Sequence, residues 1–250
     1  MKRGLLIVDR GSREREASEE LEIISEKVRE RGGYEFADFC FLEVVPPFIE
    51  DGIQRALAKD IEGLTIVPYF LYPGRKVKIA VADVMRYQKD TDVKFVVTKP
   101  MSMHQTLIDL VDSRIGAALE DRRVSLEKNE VDVLVIGHGS KDPNAQMSLR
   151  YVVEGLRRQY RNADHCFLEI EQPDIAAGVK SCEKNSPKAL AIVFYFLHEG
   201  AHVKTDIYAD LNPALEEANL QNVCITRHLG TDEKMIDLII ERAREVEDAD

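Results

Sequence analysis

Apolar residues along this chain gather in short runs of up to nine, and between the runs they recur every three or four positions. The runs predict strands over Gly4–Val8, Phe39–Leu42, Leu64–Phe70 and Val93–Val97. They predict four more over Val133–Ile136, Cys166–Ile170, Leu190–Leu197 and Val223–Thr226, because β-branched and aromatic side chains suit a pleated surface. Between the first two strands Ala17, Leu21, Ile24 and Val28 share one face of a helix. Strands that are apolar nearly throughout, with helices between them, predict parallel sheets covered on both faces. The expected class is α/β, in three α/β/α layers around mainly parallel four-stranded sheets.

The pattern also repeats itself. Cys40-Phe41-Leu42-Glu43 recurs as Cys166-Phe167-Leu168-Glu169, 126 positions on, and the same offset pairs Pro47 with Pro173, Gly52 with Gly178, and Tyr69-Phe70-Leu71 with Tyr195-Phe196-Leu197. Nearer the ends the offset is 128, which pairs Gly11-Ser12 with Gly139-Ser140 and Ile108-Asp109-Leu110 with Ile236-Asp237-Leu238. Two copies of one unit are expected, at 1–122 and 131–250, joined by a charged linker at 123–130.

Composition narrows the class. At 250 residues, 44% hydrophobic and 32% charged, the chain can bury a real core and shows no long polar tract. A formal charge of −11 argues against nucleic acid or an anionic membrane as partner. The longest apolar run, Ala189–Leu197, is about half a bilayer-spanning helix, and Asp9 and Arg10 interrupt the N-terminal run too early for a secretory signal. A cytoplasmic protein is expected. Four cysteines without a Cys-x-x-Cys pair give neither a disulfide framework nor a zinc knuckle, and core thiols are expected.

Ligands of parallel sheets collect beyond the carboxyl ends of the strands. In the second copy those ends carry Gly137-His138-Gly139-Ser140, then Glu169, then His198-Glu199-Gly200-Ala201-His202. Two imidazoles and a carboxylate are an N, N, O set suited to a borderline divalent metal, and the flanking glycines allow close approach to the backbone.

With these residues the sequence resembles the sirohydrochlorin chelatases, the class II cobaltochelatases and ferrochelatases. The resemblance rests on His138-Gly139-Ser140, on Phe167-Leu168-Glu169, and on Gly200-Ala201-His202-Val203-Lys204-Thr205-Asp206-Ile207. It spans essentially the whole chain and implies two tandem chelatase-like domains facing across a cleft. The implied activity is insertion of a divalent metal, Co2+ or Fe2+ and by extension Ni2+, into a cyclic tetrapyrrole without a nucleotide, in cobalamin or sirohaem biosynthesis. It makes His138 and His202 the metal-handling histidines and Glu169 their acidic partner, with the metal as substrate. A monomer or homodimer is expected, without nucleic-acid or membrane partners.

The first copy departs from the set. Arg10 stands where His138 does, Lys76 where His202 does, and only Glu43 matches. A guanidinium is always charged and a lysine normally so near neutral pH, which makes both poor metal ligands, so metal handling is expected of the second copy alone. Arg10 and Lys76 are instead expected to hold the carboxylates of an anionic substrate, and Ser140 and His198 to line the same site. Two other readings use the same residues: a carrier that binds metal or tetrapyrrole without turnover, and a phosphate-handling enzyme built on backbone donors of the Gly-His-Gly-Ser turn. His104 and His228, which have no histidine counterparts, are expected in capping or surface roles, and Tyr69 and Tyr195 in the core.

Overall fold

The computed structural model describes residues 2–200 and 205–248. In the first copy β1 (Arg3–Asp9), α1 (Arg15–Gly32), β2 (Phe36–Phe41), α2 (Ile49–Leu57), β3 (Gly63–Pro68), α3 (Arg75–Met85), β4 (Lys94–Val97) and α4 (Gln105–Asp121) alternate. The second copy repeats the order with β5 (Val131–Gly137), α5 (Pro143–Arg157), β6 (Asn162–Phe167), α6 (Ile175–Lys184), β7 (Ala189–Phe194), α7 (Ile207–Glu217), β8 (Val223–Ile225) and α8 (Glu233–Glu247). Each copy forms one four-stranded, wholly parallel sheet, ordered β2-β1-β3-β4 and β6-β5-β7-β8. No helix among the described residues is long and apolar enough to cross a membrane.

The central strands β3, β5 and β7 are buried along their whole length, as strands covered by helices on both faces must be. The predicted helical stripe Ala17, Leu21, Ile24 and Val28 is fully buried. Close packing recurs across the repeat: a Cβ on Gly52 would lie 2.8 Å from the Cys40 Cβ, and one on Gly178 would lie 2.7 Å from that of Cys166. A glycine at this place in α2 and α6 lets each helix lie directly on the strand beneath it. The edge strands β2 and β6 begin earlier than their apolar runs suggest, at Phe36 and Asn162. An edge strand with partly exposed positions tolerates Asp38 or Asp164 within it.

Sequence copies and packed units are different divisions of this chain. One compact unit comprises residues 1–102 with 231–250, and the other residues 103–230. Helix α8, from the second copy, packs on β3, β4 and α1 of the first sheet. There Arg31 pairs with Glu233 at 2.7 Å and with Asp237, Tyr34 donates to Glu247 at 3.1 Å, and the buried Arg242 donates to the Ser102 carbonyl at 2.8 Å. Helix α4, from the first copy, packs on β7, β8 and α5, where Arg114 donates to the Leu229 carbonyl at 2.7 Å and Tyr160 to Asp112 at 2.7 Å. The closing helix of each copy thus belongs to the other unit, and the charged segment around 123–130 lies inside the second one.

Candidate functional site

In the order β6-β5-β7-β8 the chain leaves β5 toward β6 on one side and then places β7 on the other. The crevice at such a reversal is where parallel sheets bind ligands. His138 is the first residue beyond β5, so the strand order alone puts it there. Pairing continues past the strand ends: Leu168 N–H donates to the Gly137 carbonyl at 2.9 Å, and Glu169 N–H to the His138 carbonyl at 3.1 Å. His138 and Glu169 therefore stand side by side, with Nε2 3.1 Å from Oε1. The histidine side chain is 27% exposed and the glutamate 51%, so the pair is open to a ligand.

The turn after His138 depends on Gly139. Its φ is +95°, and a Cβ there would lie 1.9 Å from the Glu169 carbonyl oxygen, so only glycine fits. The Ser140 N–H donates to Glu171 Oε1 at 2.6 Å, while the Ser140 hydroxyl accepts from Asp142 N–H at 3.0 Å at the start of α5. His138 Nδ1 lies 3.2 Å from the Gly139 carbonyl. A ring protonated at Nδ1 donates to that carbonyl and turns its Nε2 lone pair toward the Glu169 carboxylate. Two electron-rich atoms then face each other across 3.1 Å, an arrangement stabilised by a proton or a metal cation.

The first copy builds the same scaffold around different side chains. Gly11 has φ +99° and would place a Cβ 2.2 Å from the Glu43 carbonyl oxygen, and Glu43 N–H donates to the Arg10 carbonyl at 3.1 Å. Here Glu43 meets two cations of the chain itself, Arg10 Nε at 3.0 Å and Lys76 Nζ at 2.5 Å. Hydrogen bonding from Lys76 holds the Glu43 carboxyl below its ordinary range; partial burial opposes this and Arg10 adds to it. Gly11 N–H turns back to Asp9 Oδ1 at 2.8 Å, so the carboxylate that steadies this turn comes from β1 rather than from a counterpart of Glu171.

Of the residues singled out in sequence, the structure brings His138 to Glu169 and both Arg10 and Lys76 to Glu43. Ser140 lies in the turn beside the first pair, and His198 is partly buried in the loop beyond β7. His202 and Lys204 lie outside the described residues; among those described, no cluster of three His, Cys, Asp or Glu suited to a metal is present. Donation of the Ser140 amide to Glu171 weakens the phosphate-handling reading, because an anionic side chain already uses that donor. His104 caps α4, its Nδ1 accepting from Thr106 N–H at 3.3 Å. Tyr69 and Tyr195 are core residues, as are all four cysteines, whose thiols burial pushes up in pKa. His165, half-buried beside Phe167 on β6, is pushed down by the same cause.

Sequence reasoning did not single out Glu171, which holds the Ser140 amide beside the pair. The signal for Glu171 was a difference between the copies, since the first has Val45 at that place.

A family model described as CbiX matches the chain twice, over residues 4–118 and 132–246. The chain is 28% identical over 206 residues to the sirohydrochlorin cobaltochelatase of Priestia megaterium, an alignment that covers 81% of this chain and 66% of that protein. It is 22% identical over 231 residues to the sirohydrochlorin ferrochelatase of the same organism, covering 90% and 84%. The chain thus spans just under two thirds of the length of the first relative and most of the second. A solved structure described as SirB from Bacillus subtilis with Fe3+ matches with a TM-score of 0.84 over 98% of this chain and 95% of that one, at 21% identity, a likeness of fold.

Proposed function

The chain belongs to the CbiX family, and on that premise we propose that it inserts cobalt or ferrous iron into sirohydrochlorin, the activity in its relatives' names. The observation that carries the reading is the approach of His138 Nε2 to Glu169 Oε1 at the reversal of the second sheet. Donor atoms 3.1 Å apart fit neighbouring positions on one ion about 2.0–2.2 Å from each, the range of imidazole and carboxylate ligands on zinc and similar ions.

The metal is substrate here and has to leave. A set of imidazole and carboxylate without thiolate holds borderline ions without committing to one of them, so nickel stays within the proposed range beside cobalt and iron. The family resemblance adds His202 as the second imidazole. Insertion also releases two pyrrole protons, and the half-exposed Glu169 carboxylate beside His138 is the base we assign to take them one at a time and pass each to solvent. Four ring nitrogens binding the ion supply the driving force, so the reaction is written without a nucleotide. The product belongs to sirohaem or cobalamin synthesis, in the cytoplasm.

The substrate's acetate and propionate groups meet a chain of formal charge −11, which calls for local cations. We assign that part to Arg10 and Lys76. Arg10 engages Glu43 through Nε while its side chain stays 57% exposed, which suits bidentate capture of a further carboxylate by the guanidinium edge. Ser140 and His198 are assigned to the lining of the metal-handling end.

The test is anaerobic incubation of catalytic amounts of protein with sirohydrochlorin and Co2+ or Fe2+, followed by the absorption spectrum. Many equivalents converted per protein support the reading. A change that stops at one equivalent identifies a carrier, and no change beyond the protein-free rate overturns it.

A further inference from the structure

The residue after each strand-end glutamate has an unusual backbone. Val44 has φ +77° and Ile170 φ +72°. Around each the chain closes a three-residue turn, Val45 N–H donating to the Glu43 carbonyl at 3.0 Å and Glu171 N–H to that of Glu169 at 2.8 Å. This is the positive-φ form of the γ-turn, rare and strained for any residue with a Cβ. For a β-branched residue it is an outlier of the kind that persists only where something favours it.

Packing among the described residues does not explain the choice. Ile170 is 53% exposed and Val44 46%. An exposed aliphatic residue alone needs no explanation, but an exposed one that also strains the backbone does. Glycine would adopt such a φ without penalty, as Gly139 and Gly11 do beyond the neighbouring strands. The pattern of retention narrows the cause. Where the second copy has His138, the first has Arg10, yet both keep a branched apolar residue here, so the feature is not tied to holding a metal ion.

We propose that Ile170 is a substrate-positioning residue: its γ-turn holds the side chain out beside Glu169 as an apolar contact for the flat face of the tetrapyrrole, fixing the ring over the His138–Glu169 pair. The proposal rests on the chelatase reading above and deepens it. Macrocycle faces are apolar while their rims carry the charge, so an aliphatic contact beside the carboxylate supplies what the polar site lacks. Strain in the free protein is then offset when the substrate covers the side chain.

Ile170→Gly separates this from a structural role, because the two predict opposite results. If the side chain serves the substrate, the variant melts at the same temperature as the parent or higher, while KM for sirohydrochlorin rises about tenfold and kcat changes little. Binding of metal-free sirohydrochlorin, followed by its visible absorption, weakens by the same factor, and Ile170→Val restores most of it. Val44→Gly is the matched control for strain and also melts no lower than the parent. A fall of several degrees in either glycine variant, or unchanged substrate affinity in Ile170→Gly, overturns the proposal. If the parent protein neither binds nor turns over sirohydrochlorin, the chelatase reading fails first; if the parent does both and Ile170→Gly equals it, this inference alone fails.

Discussion

Replacing Gly139 by alanine tests whether the turn after β5 aims His138, and Gly11 supplies a control inside the same chain. At φ +95° and +99° an L residue carries a backbone penalty of about 1–2 kcal/mol. The added Cβ would also sit 1.9 Å from the Glu169 carbonyl oxygen in one copy and 2.2 Å from that of Glu43 in the other, so in each copy the turn and the strand end beside it must part by about an ångström. Parting them strains the Glu169 N–H bond to the His138 carbonyl and its Glu43 equivalent, each worth about 0.5–1.5 kcal/mol. The expected cost is about 2–4 kcal/mol in either variant, or a fall in Tm of roughly 5–15 °C for a chain of this size. Stability should respond alike, but function should not. Gly139→Ala separates His138 from Glu169 and is expected to lower kcat at least about a hundredfold at a temperature where it stays folded, the scale for loss of a positioned catalytic group. Gly11→Ala should keep kcat within a few fold. Thermal melts and metal-insertion assays on both variants decide the matter. Equal losses of kcat, or a Gly139→Ala protein with unchanged Tm and turnover, would refute the reasoning.

Glu171→Val, which installs the first copy's residue, removes the acceptor of the Ser140 amide and should lower kcat about tenfold with Tm little changed; Glu171→Gln keeps an oxygen at that place and should retain most of the activity, as steady-state assays would show. Glu43 has a folded pKa below its unfolded one, so its contribution is present above the unfolded value and is lost as pH falls through the folded value. With a third of the side chain exposed the contribution is at most about 1 kcal/mol, and Glu43→Gln should flatten the acid limb of Tm below roughly pH 5.

Much of the architecture was legible because a duplicated chain states each element twice. The first halves of β2 and β6 were not, since Phe36-Ala37-Asp38 and Asn162-Ala163-Asp164 mix polar with apolar residues at a sheet edge. The exchange of α4 and α8 left no trace in sequence for a physical reason: duplication gives both helices related apolar faces, so docking on one sheet or the other reads alike. What decides between them is contact detail such as Arg242 on the Ser102 carbonyl and Arg114 on that of Leu229. At the site, the strand-end rule pointed to His138 and Glu169, which the structure sets side by side because both stand just past the ends of neighbouring strands. Glu171 works through a backbone amide, which imposes no residue spacing, and Ile170 occupies a turn its residue type disfavours, so neither announced itself.

The two copies also clarify what the strand-end glutamate requires. In both, a positive-φ glycine and a backbone bond from the glutamate's own N–H hold it against the first residue beyond the copy's first strand, so the scaffold that aims it is the same in the two copies. In the first copy that glutamate is met by a guanidinium and an ammonium, which together leave the cluster with one net positive charge. On the proposed reading, a divalent ion beside Glu169 and neutral imidazoles gives the second cluster the same net charge. Arg10 and Lys76 then act as a built-in replacement for the cation, attached to the chain and unable to leave. A copy so filled has no electrostatic reason to bind a metal, and its glutamate is held ionised by Lys76 and Arg10 instead. An aimed, ionised carboxylate with two cations of the chain around it fits the assignment proposed above, metal transfer to the second copy and substrate charge to the first.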